Sequence, residues 1–318
     1  MVSLGVGFPR EFAAAQVIDA ARSLEASGVA ELWVVEDCFY TAGITLAAAA
    51  LAVTDRLTVG LGILPAVARN PAITAMELAT LAGLAPGRVV AGIGHGMQDW
   101  MAQIGARSPS PLTTLAEVLQ AVRRLLRGET VTEQGRTVQL TDVRLDQPPA
   151  QIPPVLAGVR GPKSVAMAGH SADGLVLADG SPPSYVRWAR EQAAVPGRFE
   201  IAVLVPAHLD RDRAAARRQA APRIADLVRS APPGLRGEPF FDELAALVAD
   251  RGPDGVLAAP DEWWAQLGAI GTPEDAAAHV AALGEAGAGR VSLAFDADPA
   301  TWAEQAQRVG SELVSMLD

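Results

Sequence analysis

The segment Val155–Leu177 has the residue types and the order of an anion-binding turn. Its apolar start, Val155–Ala157, predicts a short buried strand, and Pro162 favours the first turn of a helix that continues from Lys163. Between them lies the glycine-containing turn Gly158–Gly161. Free backbone N–H groups and the positive end of a helix dipole meet at such a helix start, and both attract phosphate. The same pattern also fits an ordinary strand-to-helix turn in which glycine supplies only backbone freedom.

Two other apolar runs end in groups that could move a proton. His95 stands between two glycines after the run that begins at Val89, and imidazole titrates near neutral pH. Glu36 and Asp37 follow the run Leu32–Val35. Since neighbouring strand residues point to opposite faces, we expect at most one of these two carboxylates to face inward. The structural alternatives are a hydrogen-bonded core histidine for His95 and a loop cap for the carboxylates.

These groups need a scaffold that brings strand ends together, and the chain predicts one. Short apolar runs, each followed by a helical pattern, occur at 4–8, 32–35, 57–63, 89–93, 155–157, 174–177, 199–206 and 291–295. Eight such alternations in a chain of 318 residues are typical of a (β/α)8 TIM barrel, an α/β fold whose active site lies at the C-terminal ends of its strands. A doubly wound open sheet is the alternative.

Two insertions interrupt this alternation within what we interpret as a single domain, residues 1–318. Residues 130–145 alternate apolar and polar side chains around Gly135, which predicts a surface hairpin before the fifth barrel strand. Residues 232–271 are rich in proline and glycine and carry two phenylalanines and two tryptophans. We interpret this longer insertion as a lid or an interface.

Composition and charge limit the partners and the compartment. A net charge of −10 argues against nucleic acid and an anionic membrane, so a bound phosphate needs a local basic cluster, for which Arg69, Arg160 and Lys163 are candidates. The single cysteine, Cys38, excludes an intrachain disulfide and a cysteine-based zinc site, and we predict no metal site. We interpret Cys38 as a small buried apolar residue. No signal peptide or membrane span is visible, so we expect a cytoplasmic protein.

Five segments resemble the bacterial-luciferase-like superfamily in their order and spacing. They are LGVGFP from Leu4, LWVVED from Leu32, LTVGLGILPAVARNP from Leu57, VVAGIGHG from Val89 and PVLAGVRGPKSVAMAGHSADGLVL from Pro154. The RGPKS turn makes the chain more similar to the coenzyme F420-dependent branch, which includes methylenetetrahydromethanopterin reductase, than to the flavin monooxygenases. The resemblance covers most of the chain and is poorest at 232–271.

The resemblance implies a homodimer with a cofactor ring at the barrel mouth. It implies a non-prolyl cis peptide bond between Gly62 and Ile63 behind the ring, and a close approach of the ring at Gly94. Asp37, His95 and Gln98 would contact the cofactor or the hydroxyls of a ligand. The cofactor phosphate would bind at Gly158, Val159, Arg160, Gly161, Pro162, Lys163 and Ser164.

The chain departs from one related pattern at two positions. The glucose-6-phosphate dehydrogenase branch carries Asp-His after strand two, and its strand-four loop carries a glutamate proposed as an acid. Here these positions hold Asp37-Cys38 and His95. The missing histidine disfavours that dehydrogenase reaction and leaves His95 as the candidate proton donor or relay, with Asp37 as a second candidate catalytic residue.

The resemblance implies an enzyme, an oxidoreductase that transfers a hydride between coenzyme F420 and a small organic substrate. An FMN-dependent luciferase-like monooxygenase is the alternative, because the same basic turn would serve either cofactor. A non-catalytic ligand-binding barrel is a second alternative. Gly62 and Gly94 disfavour it, since a barrel without a cofactor does not need glycines for close approach.

Overall fold

The computed structural model describes residues 2–317. The strands are β1 (Ser3–Gly7), β2 (Glu31–Val34), β3 (Thr58–Pro65), β4 (Val89–Gly94), β5 (Val131–Gln134), β6 (Gln139–Val143), β7 (Val155–Gly158), β8 (Gly174–Leu177), β9 (Glu200–Leu209), β10 (Ala269–Gly271) and β11 (Arg290–Ala294). The helices are α1 (Gln16–Ala26), α2 (Gly43–Ala52), α3 (Pro71–Leu84), α4 (Gln98–Gln103), α5 (Pro111–Leu126), α6 (Pro162–Ser171), α7 (Pro183–Ala193), α8 (Arg213–Ser230), α9 (Pro233–Arg236), α10 (Phe241–Arg251), α11 (Pro253–Leu257), α12 (Asp261–Leu267), α13 (Pro273–Glu285), α14 (Pro299–Arg308) and α15 (Val314–Leu317), with a π-helical turn at Val309–Leu313.

Eight parallel strands close into a barrel, which confirms the predicted (β/α)8 fold. Around the barrel the order is β1, β2, β3, β4, β7, β8, β9 and β11, and β11 pairs again with β1. The pairings β8–β9 and β11–β1 close the ring, so the open-sheet alternative is wrong. Short β10 extends the edge of β9 beyond the barrel, with Ile270 opposite His208.

Side chains fill the lower half of the barrel interior. The Arg290 guanidinium, at the start of β11, donates hydrogen bonds to Glu31 at the start of β2 and to Glu200 at the start of β9. The Trp33 indole donates to Glu31 Oε2 at 2.7 Å and lies against Gly60, where a Cβ would come within 2.3 Å of the ring. Because this layer is packed, a ligand site can form only above it, at the C-terminal ends of the strands.

The segment around 130–145 forms the antiparallel hairpin β5–β6, in which Val131 pairs with Val143. The Glu117 carboxylate on α5 accepts hydrogen bonds from the backbone N–H groups of Arg136, Thr137 and Val138, and these bonds lower the pKa of Glu117 against the opposing effect of burial. The hairpin tip is thereby fixed to the barrel's outer helices.

The segment 232–271 is mostly helical and contains α9 to α12. Its apolar side chains pack with α8 in a second hydrophobic cluster that includes Leu235, Leu244, Val256 and Trp264. This packing explains the aromatic content of the segment. That the whole chain is one domain stays a prediction. Within residues 2–317, no helix combines the length and apolar character needed to cross a bilayer.

Candidate active site

A cavity of about 1090 Å³ opens at the C-terminal ends of the barrel strands. Its floor is formed by side chains of the strands, among them Trp33, Val176 and Leu204, and its walls come from the loops that follow them. Predicted site residues that line it are Asp37, Gly62, Ile63, His95, Gly158, Val159, Arg160, Gly161 and Ser164. Gly94, Gln98, Pro162 and Lys163 were predicted as well but lie outside this lining.

The anion-binding turn has the predicted architecture. Strand β7 ends at Gly158, Pro162 occupies the first turn of α6, and the first helical hydrogen bond runs from Val165 N to the Gly161 carbonyl at 2.9 Å. The backbone N–H groups of the residues before Val165 are therefore not used within the helix. Gly161 has φ −86° and ψ 155°, and a Cβ there would meet no atom within 4 Å among the described residues. The turn thus faces open space that a phosphate can fill.

A tyrosine that sequence analysis missed holds this turn in place. The hydroxyl of Tyr185 on α7 donates a hydrogen bond to the Arg160 carbonyl. Burial raises the pKa of Tyr185 to about 12, so the hydroxyl stays protonated and remains a donor at neutral pH. The side chain of Lys163, in contrast, is exposed. The Lys163 side chain therefore lies outside the cavity, and the backbone groups of the turn are what face it.

The strand β3 has a bulge where the resemblance implies one. The peptide bond Gly62–Ile63 is cis, and the register of β3 against β4 shifts between Leu61 and Leu64. Ile63 projects towards β4 and, beyond it, β7. A Cβ on Gly94 would lie 3.1 Å from Ile63 Cδ1, and a Cβ on Gly158 would lie 2.6 Å from Ile63 Cγ2.

These contacts correct the interpretation of Gly94. The residue is buried, lies outside the cavity lining and is small because Ile63 and the Gly158 carbonyl occupy the adjacent space. Packing therefore accounts for Gly94, and likewise for Gly62, whose added Cβ would lie 3.1 Å from Trp33 Cε3, so neither glycine is evidence against a non-catalytic barrel.

Both carboxylates after β2 line the cavity, so the expectation that at most one faces inward was wrong. Asp37 Oδ2 accepts a hydrogen bond from Arg10 Nη1 at 2.6 Å. Glu36 binds the guanidinium of Arg69, which also lies 3.1 Å from Glu77. Arg69 lies outside the lining with its charge paired, so its candidacy for the phosphate cluster was also wrong. Strand β2 ends at Val34, before both carboxylates, and a turn begins at Asp37, so strand alternation does not apply to this pair.

The His95 side chain lines the cavity at the end of β4. Burial lowers the pKa of its imidazole, although a backbone hydrogen bond at Pro111 has the opposite effect, so the ring is neutral at pH 7. Its Nδ1 atom is buried and so does not open onto the cavity. The residue as a whole is half-buried, and the part of the ring that borders the cavity is what a ligand can reach.

The amide of Gln98 donates to its own loop. Its Nε2 lies 3.5 Å from the His95 carbonyl and 3.4 Å from the Gly96 carbonyl. These long contacts and its place outside the lining make Gln98 a support of the His95 loop, and its contact with a ligand stays a prediction. Burial and the neighbouring Glu36 and Asp37 raise the pKa of Cys38, which agrees with an unreactive thiol.

Two arginines that sequence analysis did not single out complete the walls. Arg10 follows β1, and its guanidinium lies 4.7 Å from the ring centroid of Tyr40. Arg223 extends from α8, and its Nη2 lies 2.8 Å from Asp179 Oδ2 after β8. An arginine after the first strand could have been proposed from its position in GFPREF. Arg223 lies in an arginine-rich helix, where nothing in the sequence distinguishes it from its neighbours.

Comparison with known proteins places these features in a family. The chain is 26% identical over 296 residues to the 5,10-methylenetetrahydromethanopterin reductase of Methanolobus tindarius, covering 88% of this chain and 90% of that protein. The coenzyme F420-dependent tetrahydromethanopterin reductase of Methanopyrus kandleri superposes with a TM-score of 0.82 at 18% identity, over 100% and 99% of the two chains. A type II Baeyer-Villiger monooxygenase component of Pseudomonas putida, solved with FMN, has a TM-score of 0.75 at 17% identity, over 100% and 99%.

The family model described as luciferase-like monooxygenase matches residues 4–290, which span the barrel strands from β1 to the first residue of β11. The resemblance seen in the five sequence segments is thereby confirmed, and so is the expectation of an enzyme. The chain belongs to the luciferase-like monooxygenase family.

Proposed function

We propose that this protein is an oxidoreductase that uses coenzyme F420 to transfer a hydride to or from a small organic substrate. The observation that carries the proposal is that the open phosphate turn, the β3 bulge and the His95 imidazole all border one cavity at the barrel mouth. The Methanolobus tindarius reductase matches most of the chain, and reductases of that kind belong to the F420-dependent branch that the sequence resembles. A bound deazaflavin supplies hydride chemistry at its C5 carbon.

Each residue has a distinct part in this proposal. The backbone of Gly161 to Ser164 binds the phosphate, with charge added by Arg160 and with Tyr185 holding the turn. Ile63 supports one face of the ring. His95 holds or moves a proton on the part of its imidazole that borders the cavity. Asp37 remains a candidate for cofactor binding and for catalysis, with Oδ1 left for a ligand because Oδ2 binds Arg10.

Titration of the purified protein with F420 and with FMN tests the proposal. We expect a dissociation constant for F420 at least about tenfold lower than that for FMN, which corresponds to about 1.4 kcal/mol. The two cofactors have different absorbance spectra, so both titrations can be followed directly. Tighter binding of FMN would instead favour the monooxygenase, whose fold is the same. Failure of both to bind would favour a non-catalytic barrel.

We also propose that the protein is a homodimer that contacts its partner through α3. Three apolar side chains on this helix are 45% to 68% exposed, namely Ile73, Met76 and Leu84. Their spacing places Ile73 and Met76 on one face, and exposed apolar patches mark association surfaces. A small-molecule substrate and a cytoplasmic location belong to the same proposal. So does the absence of nucleic acid and membrane as partners, which the net charge of −10 supports.

Replacing Met76 with aspartate should shift the protein from dimer to monomer. A buried unpaired charge at a subunit contact weakens association by several kcal/mol. Light scattering after size-exclusion chromatography measures the mass. Leu257→Asp, at an exposed apolar position on α11, is the matched control and should leave the mass unchanged. A wild-type monomer, or a dimer that survives Met76→Asp, would contradict the assignment to α3.

A further inference from the structure

The charges that line the cavity are unequal in number. The positive side chains are three arginines, Arg10, Arg160 and Arg223. The carboxylates are five, Glu11, Glu36, Asp37, Asp179 and Asp296. Arg69, just outside the lining, pairs with Glu36 and reduces the negative excess, but it leaves no unpaired arginine for an anion that enters the cavity outside the phosphate turn.

Two of the three arginines are already neutralised by carboxylates. Arg10 lies 2.6 Å from Asp37 and 3.0 Å from Glu11. Arg223 lies 2.8 Å from Asp179, and its other terminal nitrogen donates to the Ala294 carbonyl at 2.6 Å. An anionic substrate would have to displace a carboxylate from one of these part-buried pairs. The third arginine, Arg160, stands in the turn assigned to the cofactor phosphate and so is not free for a second anion.

Beside the cavity lies a patch that we call the aromatic rim, formed by Tyr40, Met97 and Trp100. Met97 and Trp100 line the cavity, and Tyr40 lies outside the lining, against Arg10. The Arg10 guanidinium lies 4.7 Å from the Tyr40 ring centroid and 6.0 Å from that of Trp100, so one cation joins the two rings. Tyr40 is 52% exposed and Met97 is 58% exposed. Large apolar side chains that stay exposed beside a cavity indicate a surface that a ligand covers.

We propose that the substrate is an uncharged organic molecule with an aromatic or polycyclic ring that packs against the aromatic rim. A phosphate ester or another anion is disfavoured, because Arg10 and Arg223 are already paired with carboxylates. This proposal rests on the proposed function, because it assigns the phosphate turn to the cofactor and the rest of the cavity to the substrate.

Four probes separate the effect of the ring from the effect of charge: 1-naphthol, 1-naphthyl phosphate, glucose and glucose 6-phosphate. Saturation-transfer NMR on the F420-loaded protein reports which probe contacts the protein and with what affinity. We expect 1-naphthol to bind at least about tenfold more tightly than each of the other three. Equal or tighter binding of either phosphate ester, or of glucose, would overturn the proposal.

The same series is repeated without F420 in excess inorganic phosphate, which occupies the turn. Failure of F420 to bind would overturn the proposed function alone, and the ranking of the probes would still decide the substrate class. In this arm too, tighter binding of the naphthyl ester than of naphthol would count against the proposal.

Two variants test the residues that carry the argument. Asp179→Asn releases Arg223 from its ion pair and should strengthen binding of 1-naphthyl phosphate about tenfold, while naphthol changes little. Trp100→Ala should weaken the binding of 1-naphthol about tenfold. The control is Ile104→Ala, which removes an exposed apolar side chain just beyond α4 and outside the cavity lining. It should leave the affinity for both naphthol and its phosphate ester unchanged. An unchanged ester affinity in Asp179→Asn, or an unchanged naphthol affinity in Trp100→Ala, would show that these residues do not set the specificity.

Discussion

The His95→Ala variant is expected to turn over about 10²- to 10⁴-fold more slowly than the wild type while binding F420 with nearly the same affinity. Hydride transfer to a polarised double bond leaves negative charge that a proton must neutralise. His95 lies in the cavity wall and is half-buried, so part of its imidazole borders the space where a substrate binds. Stopped-flow measurement of F420 oxidation with a reducible substrate gives the turnover, and titration gives the affinity.

The pH dependence of turnover identifies the group. Burial lowers the pKa of His95, so its titration lies below the ordinary histidine value of about 6.5. If the imidazolium donates the proton, the rate of substrate reduction rises as the pH falls towards that pKa. This rise should disappear in His95→Gln, which retains a hydrogen-bonding amide of similar size but cannot titrate. A pH profile that is the same in wild type and His95→Gln would contradict the role.

A structural role for His95 predicts a different result. Because folding lowers its pKa, His95 favours the folded state above the unfolded pKa of about 6.5, and this contribution is lost as the pH falls through the folded pKa. A purely structural histidine would therefore give a variant that melts early at neutral pH yet turns over normally per folded molecule. Thermal melts of both variants beside the kinetic data separate the two roles.

The second large effect is expected at Gly161, where valine should weaken F420 binding by about 10- to 100-fold. The backbone at φ −86° and ψ 155° suits a β-branched residue, and no described atom lies within 4 Å of the added Cβ. The fold therefore tolerates the change, but the side chain blocks the approach of a phosphate to the helix start. Loss of one charge-assisted hydrogen bond accounts for about 1.5–3 kcal/mol, which gives this range.

Two further variants make the Gly161 result specific. Gly289→Val, at the opposite end of the barrel, has only Glu200 Cγ at 4.0 Å from its added Cβ and serves as the matched control. Lys163→Ala should change the affinity less than about threefold, because the Lys163 side chain is exposed and outside the cavity lining, so the turn binds mainly through backbone groups. Wild-type affinity for F420 in Gly161→Val would contradict the assignment of the phosphate site to this turn. A large loss of affinity in Lys163→Ala would show that the lysine side chain reaches the ligand.

The sequence by itself determined the scaffold and the position of the site along the chain. Each barrel strand is a short apolar run with its own breaking residues, so local periodicity was enough to place all eight, and eight alternations define the closure. The turn before α6 could also be recognised locally, because strand end, glycines and Pro162 are contiguous. His95 was found for the same reason, since it directly follows the last residue of β4.

Only the tertiary structure decided which groups meet across the cavity and which charges are already used. Arg10 and Asp37 are 27 residues apart, Arg223 and Asp179 are 44 apart, and Tyr185 reaches a carbonyl 25 residues away. No local pattern encodes such pairs, because the closed barrel brings together strand ends that are distant in sequence. Packing likewise decided why Gly94 has no side chain, since the space beside it belongs to Ile63 and to the Gly158 carbonyl of the neighbouring strand.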